Sequence, residues 1–107
     1  MLARLGKYGG NVKKVRGEYE GFYSYNGTMN GRDYWVKVEG GRAIWYIPDF
    51  KDWAIGEEMD LGSKRRYIRT SSDLESTCPN NSKNDWEYYN NKWLSTNDVH
   101  LNCIGNH

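Results

Sequence analysis

The sequence has few of the features on which most enzymes and membrane proteins depend. It contains two histidines, two cysteines and two prolines, and its formal net charge is +1. No apolar run approaches the about 20 residues that cross a bilayer as a helix. Balanced charge gives no overall attraction to nucleic acid or to a membrane surface. We therefore expect no membrane span and no nucleic acid partner.

Catalytic and metal-binding motifs are also missing. The sequence has no HExxH, GxSxG, phosphate-binding loop or cysteine pair with zinc spacing. His100 and Cys103 lie three positions apart in a predicted strand, so they would point to opposite faces and could not form a nucleophile pair. The acidic run 57–62 matches no calcium-loop pattern. These absences predict a non-enzymatic protein with no metal site and no cofactor.

No stretch carries a convincing helix start, whereas short β-type runs bounded by glycine, asparagine or proline recur along the chain. The predicted strands are 17–25, 33–39, 43–47, 52–56, 63–70, 86–89, 92–95 and 99–104. Their spacing predicts an all-β fold, a small antiparallel meander of about seven to eight short strands forming a curled sheet, a small barrel or a sandwich. Strand 43–47 is apolar on both faces, which predicts a central position in the sheet.

The length of 107 residues indicates one domain. Residues 1–16 are rich in glycine and lysine and predict an N-terminal arm or an edge strand around 12–15. Residues 17–107 are predicted to form a single β domain. The pairs Asn26-Gly27 and Asn30-Gly31 are turn signals after the first strand, and residues 39–42 predict a hairpin turn.

Aromatic residues are abundant, with five tryptophans and nine tyrosines against few aliphatic side chains. The core must be largely aromatic, yet this number exceeds what one small core needs. Exposed rings beside asparagine, aspartate and arginine are typical of carbohydrate sites, and the same composition suits protein interfaces. For any single ring, packing in the core is the alternative to ligand binding. The candidate ligand-binding residues are Trp93, Tyr89, Asn90, Asn91, Trp35 and Trp86, and the first two form the best predicted accessible pair.

The densest basic stretch contains Lys64, Arg65, Arg66 and Arg69. Sulfated glycan is a second partner that such a stretch could bind, since basic groups beside aromatic rings attract anionic ligands. Nearby acidic residues compensate these positive charges, and a strand would divide the basic residues between its two faces. A glycan or another protein therefore remains the main expectation.

The order of landmarks along the chain resembles that of Trp/Tyr-rich extracellular β modules, which occur, often in tandem, in invertebrate secreted and surface proteins. The matching motifs are Asn30-Gly31-Arg32-x-Tyr34, Ile44-Trp45-Tyr46, Trp53-x-Ile55, Cys78-Pro79, Trp86-x-Tyr88 and Val99-x-Leu101-x-Cys103. The resemblance covers about residues 17–103 and supplies no catalytic residue. It implies an extracellular setting and favours a Cys78–Cys103 disulfide, to which two free thiols are the alternative.

Two functions are compatible with these features. The first is a non-enzymatic extracellular recognition module, carbohydrate-binding and lectin-like. The alternative is a structural or adhesive matrix protein that acts through protein–protein contacts or self-association. No secretory signal is visible in residues 1–10, which leaves two alternatives: the protein stays inside the cell, or its secretory leader has been removed. Two short N-glycosylation sequons, Asn26-Gly27-Thr28 and Asn80-Asn81-Ser82, are also present.

Overall fold

The computed structural model describes residues 2–6, 17–29, 31–37, 39–70, 86–96 and 100–104. Within these ranges there are nine strands and two single-turn 3-10 helices, Gly17–Tyr19 and Glu58–Asp60, and no α-helix. The strands are β1 (Leu2–Gly6), β2 (Gly21–Met29), β3 (Arg32–Lys37), β4 (Arg42–Ile47), β5 (Asp52–Glu57), β6 (Ile68–Thr70), β7 (Trp86–Tyr89), β8 (Trp93–Thr96) and β9 (His100–Ile104).

All nine strands belong to one antiparallel sheet with the order β8-β7-β6-β5-β4-β3-β2-β1-β9. Strands β1 to β8 follow one another as a meander, and β9 returns to pair with β1 at the other end of the sheet. No ladder joins β8 to β9 in the described part of the chain, so the sheet is not closed into a barrel. The predicted all-β antiparallel meander is confirmed.

The connection from β8 to β9 shows that the sheet is strongly curled. In a flat sheet of nine strands these two edges would lie about 38 Å apart, because neighbouring strands are about 4.8 Å apart. Only three residues separate Thr96 from His100, and a chain of that length spans at most about 14 Å. The sheet must therefore curl until its two edges approach each other.

The inner face of the curled sheet carries the larger hydrophobic cluster, which we call the inner cluster. Its buried members are Tyr19, Tyr23, Trp35, Ile44, Tyr46, Trp53, Ile55, Ile68 and Trp86. The ring centroids of Trp35 and Trp53 lie 6.0 Å apart, and Tyr46 meets Trp53 edge-on at 5.4 Å. Tyr23 donates a 2.7 Å hydrogen bond to the carbonyl of Tyr19, and burial raises the pKa of the Tyr23 phenol. The core is aromatic, as the composition predicts.

Strand β4 is the fifth of nine strands in the sheet order, and its residues 43–47 are all buried. Its second apolar face carries Trp45, which packs with Ala43, Ile47 and Ala54 on the outer side of the sheet. The loop that follows Glu58–Asp60 covers this ring, since the indole Nε1 of Trp45 donates to the carbonyl of Ser63 at 3.1 Å. The prediction of a central, doubly buried strand is confirmed.

Two local predictions were wrong. Asn26-Gly27 is not a turn, because it lies inside β2 at a register shift opposite β3, and the chain reverses only after Met29, which pairs with Arg32 of β3. The predicted strand 63–70 is reduced to Ile68–Thr70. Its first half passes over the outer face instead, where a Cβ at Gly56 would meet the Cα of Arg66 at 3.2 Å. A glycine in β5 therefore allows this loop to lie against the sheet.

Several other predictions concern residues 7–16 and 71–85, which lie outside the described residues. These include the edge strand around 12–15 and Cys78, so the disulfide stays a prediction. Leu2–Gly6 forms β1, which pairs on one side with β2 and on the other with β9. Among the described residues, no helix is long and apolar enough to span a membrane.

Candidate functional site

The hairpin of β7 and β8 brings the predicted accessible pair together. Tyr89 and Trp93 are directly opposite in the ladder, and their ring centroids lie 5.5 Å apart in an edge-on arrangement. The three residues between them are exposed, and Asn91 has a φ of 64°, a conformation that asparagine tolerates better than most residues. Tyr89 is 49% exposed. The Asn90-Asn91 turn therefore presents one ring to solvent and supports it with another.

Two arginines pack against Trp93 and extend this surface. The guanidinium carbon of Arg69 lies 4.1 Å from the Trp93 ring centroid, and that of Arg66 lies 5.3 Å from it. Arg66 also lies 4.6 Å from the ring of Phe50, in the turn between β4 and β5. We call Phe50, Arg66, Arg69, Tyr89 and Trp93 the arginine–aromatic surface. Sequence reasoning missed Phe50, because nothing in its local sequence indicates a contact with Arg66, 16 positions away.

Carboxylates compensate the basic stretch that the sequence singled out. Each of its four cations has an acidic partner within 4 Å: Lys64 with Asp49 at 2.8 Å, Arg65 with Asp60 at 3.9 Å, Arg66 with Asp52 at 3.0 Å and Arg69 with Glu87 at 2.7 Å. Pairing of this kind removes most of the positive potential that would attract a sulfated polymer. The stretch thus organises the arginine–aromatic surface without making it strongly cationic.

The pair of Arg66 and Asp52 is the least exposed of these ion pairs. Both side chains are less than one-tenth exposed, beneath the ring of Phe50. Burial raises the pKa of the Asp52 carboxyl, although the charge and hydrogen bond of Arg66 oppose that shift. Desolvation therefore disfavours the ionised carboxylate of Asp52, and the charge of Arg66 stabilises it.

A small cleft of about 160 Å³ adjoins the arginine–aromatic surface. Its lining residues are Tyr19, Glu57, Asp60, Arg65, Arg66, Tyr67 and Tyr89, so Tyr89 and Arg66 belong to both features. Ligand sites for drug-sized molecules usually occupy about 300–1,000 Å³. A cleft of this size suits one small group, such as a single sugar unit.

The floor of the cleft is built from groups that hold each other in place. The Tyr19 hydroxyl donates to Glu57 Oε2 at 2.8 Å, and Arg42 Nε lies 2.9 Å from the same oxygen. The Tyr19 ring lies 4.8 Å from the ring of Tyr67 and 4.9 Å from the guanidinium of Arg42. Arg65, by contrast, has an 85% exposed side chain. The cleft therefore combines a fixed aromatic floor with an adaptable donor at its rim.

The structure separates the predicted ligand-binding residues into two groups. Tyr89, Asn90, Asn91 and Trp93 lie together on the β7–β8 hairpin. Trp35 and Trp86 are buried in the inner cluster, so both rings take part in core packing, which was the alternative to ligand binding. In the described part of the chain, no group of three or more histidine, cysteine, aspartate or glutamate residues could hold a metal ion.

Comparisons of this chain with protein-family models, with curated proteins and with solved structures found no match.

Proposed function

We propose that this chain is a non-enzymatic extracellular recognition module that binds carbohydrate in a lectin-like manner, with Tyr89 and the adjoining cleft as its site. One observation supports this above the others: a half-exposed tyrosine ring is held beside a cleft that offers both carboxylate and guanidinium groups. A pyranose has an apolar C–H face that packs on an aromatic ring, and hydroxyls that both donate to carboxylates and accept from arginine.

The support of Tyr89 favours a binding role for its exposed ring. The backbone N–H of Tyr89 donates to the carbonyl of Tyr67 at 2.9 Å, and Trp93 packs against the side chain from the next strand. A ring that is already held in place loses little conformational entropy when a ligand binds. Since the neighbouring arginines are paired with carboxylates, a neutral glycan fits this site better than a sulfated one.

A glycan array with the purified domain tests this function, followed by titration of the intrinsic tryptophan fluorescence, because Trp93 touches Tyr89. We expect one sugar class to bind and to shift the emission. Tyr89→Ala should weaken binding at least about tenfold, which corresponds to about 1.4 kcal/mol.

Tyr25→Ala is the matched control, because Tyr25 is 45% exposed and does not line the cleft. This variant should bind like the parent. An empty array, or equal losses in both variants, would contradict the proposed site.

The alternative function as a structural or adhesive matrix protein rests on a different observation. Within the described residues, the sheet ends in two edge strands, β8 and β9, each paired on one side only. Unpaired strand edges can add strands from another chain. Sedimentation velocity over a range of concentrations tests this reading: self-association together with an empty glycan array would favour it.

A further inference from the structure

Asn26 occupies an unusual position in β2. In the ladder with β3, Tyr25 pairs with Trp35 and Gly27 pairs with Tyr34, so Asn26 is an extra residue without a partner opposite it. This is a β-bulge, a feature that redirects a side chain out of the regular alternation. Gly27 has a φ of 138°, which side-chain-bearing residues rarely adopt. The bulge is therefore built into the sequence, and it exposes Asn26 to solvent.

We propose that Asn26 is an acceptor for an N-linked glycan when the chain passes through the secretory pathway. Asn26-Gly27-Thr28 has the required Asn-x-Thr pattern, and the middle residue is not proline. Both Asn26 and Thr28 are exposed in the folded sheet. A motif match by itself is weak, but here the fold presents the acceptor amide on an exposed bulge and the hydroxyl of Thr28, opposite Asp33, as an exposed group two residues further on.

The modification is a group transfer from a polyprenyl diphosphate-linked oligosaccharide. The amide nitrogen of Asn26 forms a bond to the anomeric carbon of the first sugar. The bond between that carbon and the lipid diphosphate breaks, the diphosphate leaves with the electron pair, and the amide loses one proton. The primary amide of Asn26 thereby becomes a secondary amide, and its nitrogen keeps one N–H.

The surroundings of Asn26 suit an attached sugar. Its amide nitrogen donates to the hydroxyl of Tyr34 at 3.3 Å, and Tyr34 packs against the cluster around Trp45. The first sugar would thus leave the sheet beside a supported phenol ring, to which the remaining N–H can still donate. No buried group has to be exposed for the transfer.

The test is expression of the full chain behind a secretory leader in eukaryotic cells. Peptide mapping after enzymatic release of N-glycans in ¹⁸O-labelled water, which converts a modified asparagine to labelled aspartate, identifies the occupied site and distinguishes it from spontaneous deamidation at Asn26-Gly27. We expect conversion at Asn26 in the parent chain and in Thr28→Ser, which keeps the hydroxyl. Conversion at position 26 should be lost in Thr28→Ala, and the glycan should be absent from that position in Asn26→Gln.

Secreted, folded protein with unmodified Asn26 would overturn the proposal, and so would modification confined to the second sequon at Asn80. Retained modification of Asn26 in Thr28→Ala would also overturn it. The secreted yield and far-ultraviolet dichroism of Thr28→Ser and Thr28→Ala separate a lost site from a lost fold. The result is independent of the glycan array, because neither Asn26 nor Thr28 lines the proposed binding cleft.

Discussion

The inner cluster and the arginine–aromatic surface are both built on tryptophan, but their neighbours differ. Trp53 is surrounded by other rings and by isoleucines, and it is fully buried between Trp35 and Tyr46. Trp93 is flanked by the guanidinium groups of Arg66 and Arg69 and is only partly buried. The inner cluster removes apolar area from water, whereas the outer surface keeps rings at the surface and holds them with charged neighbours.

This difference explains the aromatic excess of the sequence. Burial of a large ring is worth several times more than an exposed cation–π contact. Rings on the inner face are therefore a source of stability, and rings such as Tyr89 and Phe50 add little of it. Exposed aromatic side chains that contribute little to stability are suited to ligand binding, which is the role proposed for Tyr89.

The largest expected effect is on the inner cluster. Trp53→Ala should lower the free energy of unfolding by about 3–5 kcal/mol, because it removes a buried ring and leaves a cavity. Denaturant unfolding measures the loss. Met59→Ala is the control, since Met59 is 88% exposed and should change stability by no more than about 0.5 kcal/mol. A loss below about 1 kcal/mol for Trp53→Ala would place this ring outside the core.

Arg66→Met tests the buried ion pair beneath the outer surface. The change leaves the Asp52 carboxylate without its cation, and we expect a loss of about 3 kcal/mol in the free energy of unfolding at neutral pH. Arg65→Met provides a neighbouring control, because the Arg65 side chain is exposed and its carboxylate partner lies 3.9 Å away. That variant should lose less than about 1 kcal/mol. Similar losses of stability in Arg66→Met and Arg65→Met would contradict the distinction between a buried and an exposed ion pair.

Trp93→Ala should have a smaller effect than Trp53→Ala. It removes contacts with two guanidinium groups and with Tyr89, at a surface position where such contacts are each worth about 0.5–1 kcal/mol. We expect a total loss of about 1–2 kcal/mol in denaturant unfolding. If the loss equals that of Trp53→Ala, then the outer surface is a second core and the comparison between the two regions fails.

The smallest expected effect is the pH dependence that Asp52 contributes. Its pKa is raised in the folded state, so the folded chain binds this proton more tightly than the unfolded chain. The contribution of this proton to the free energy of unfolding is fully present below the pKa of Asp52 in the unfolded chain. It is lost as the pH rises through the pKa of Asp52 in the folded chain. Asp52→Asn should therefore flatten the decrease in unfolding free energy across that interval, measured by denaturant unfolding at several pH values. A steeper decrease in the variant would mean that Arg66 outweighs burial.

Much of the fold could be predicted from local patterns. The alternation around Trp45 and the flanking glycine and proline predicted a strand up to Ile47, and the structure has β4 there. The Asn90-Asn91 signal predicted a hairpin of 86–89 with 92–95, and the structure has this hairpin with a three-residue loop that sets Tyr89 opposite Trp93. Patterns failed where a distant segment decided the outcome. The loop before β6 leaves the sheet because Trp45 and Gly56 give it a surface to cover.

The sequence by itself determined the class of fold and the aromatic character of the core. Strand alternation and turn residues are local signals, and scarce aliphatic residues leave the rings to fill the interior. Only the tertiary structure decided which rings face outward and which charges lie beside them. Arg66 meets Phe50 and Trp93 because the sheet curls and the loop crosses its outer face. Contacts between residues far apart in the chain depend on that arrangement, and they produce no periodic pattern in the sequence.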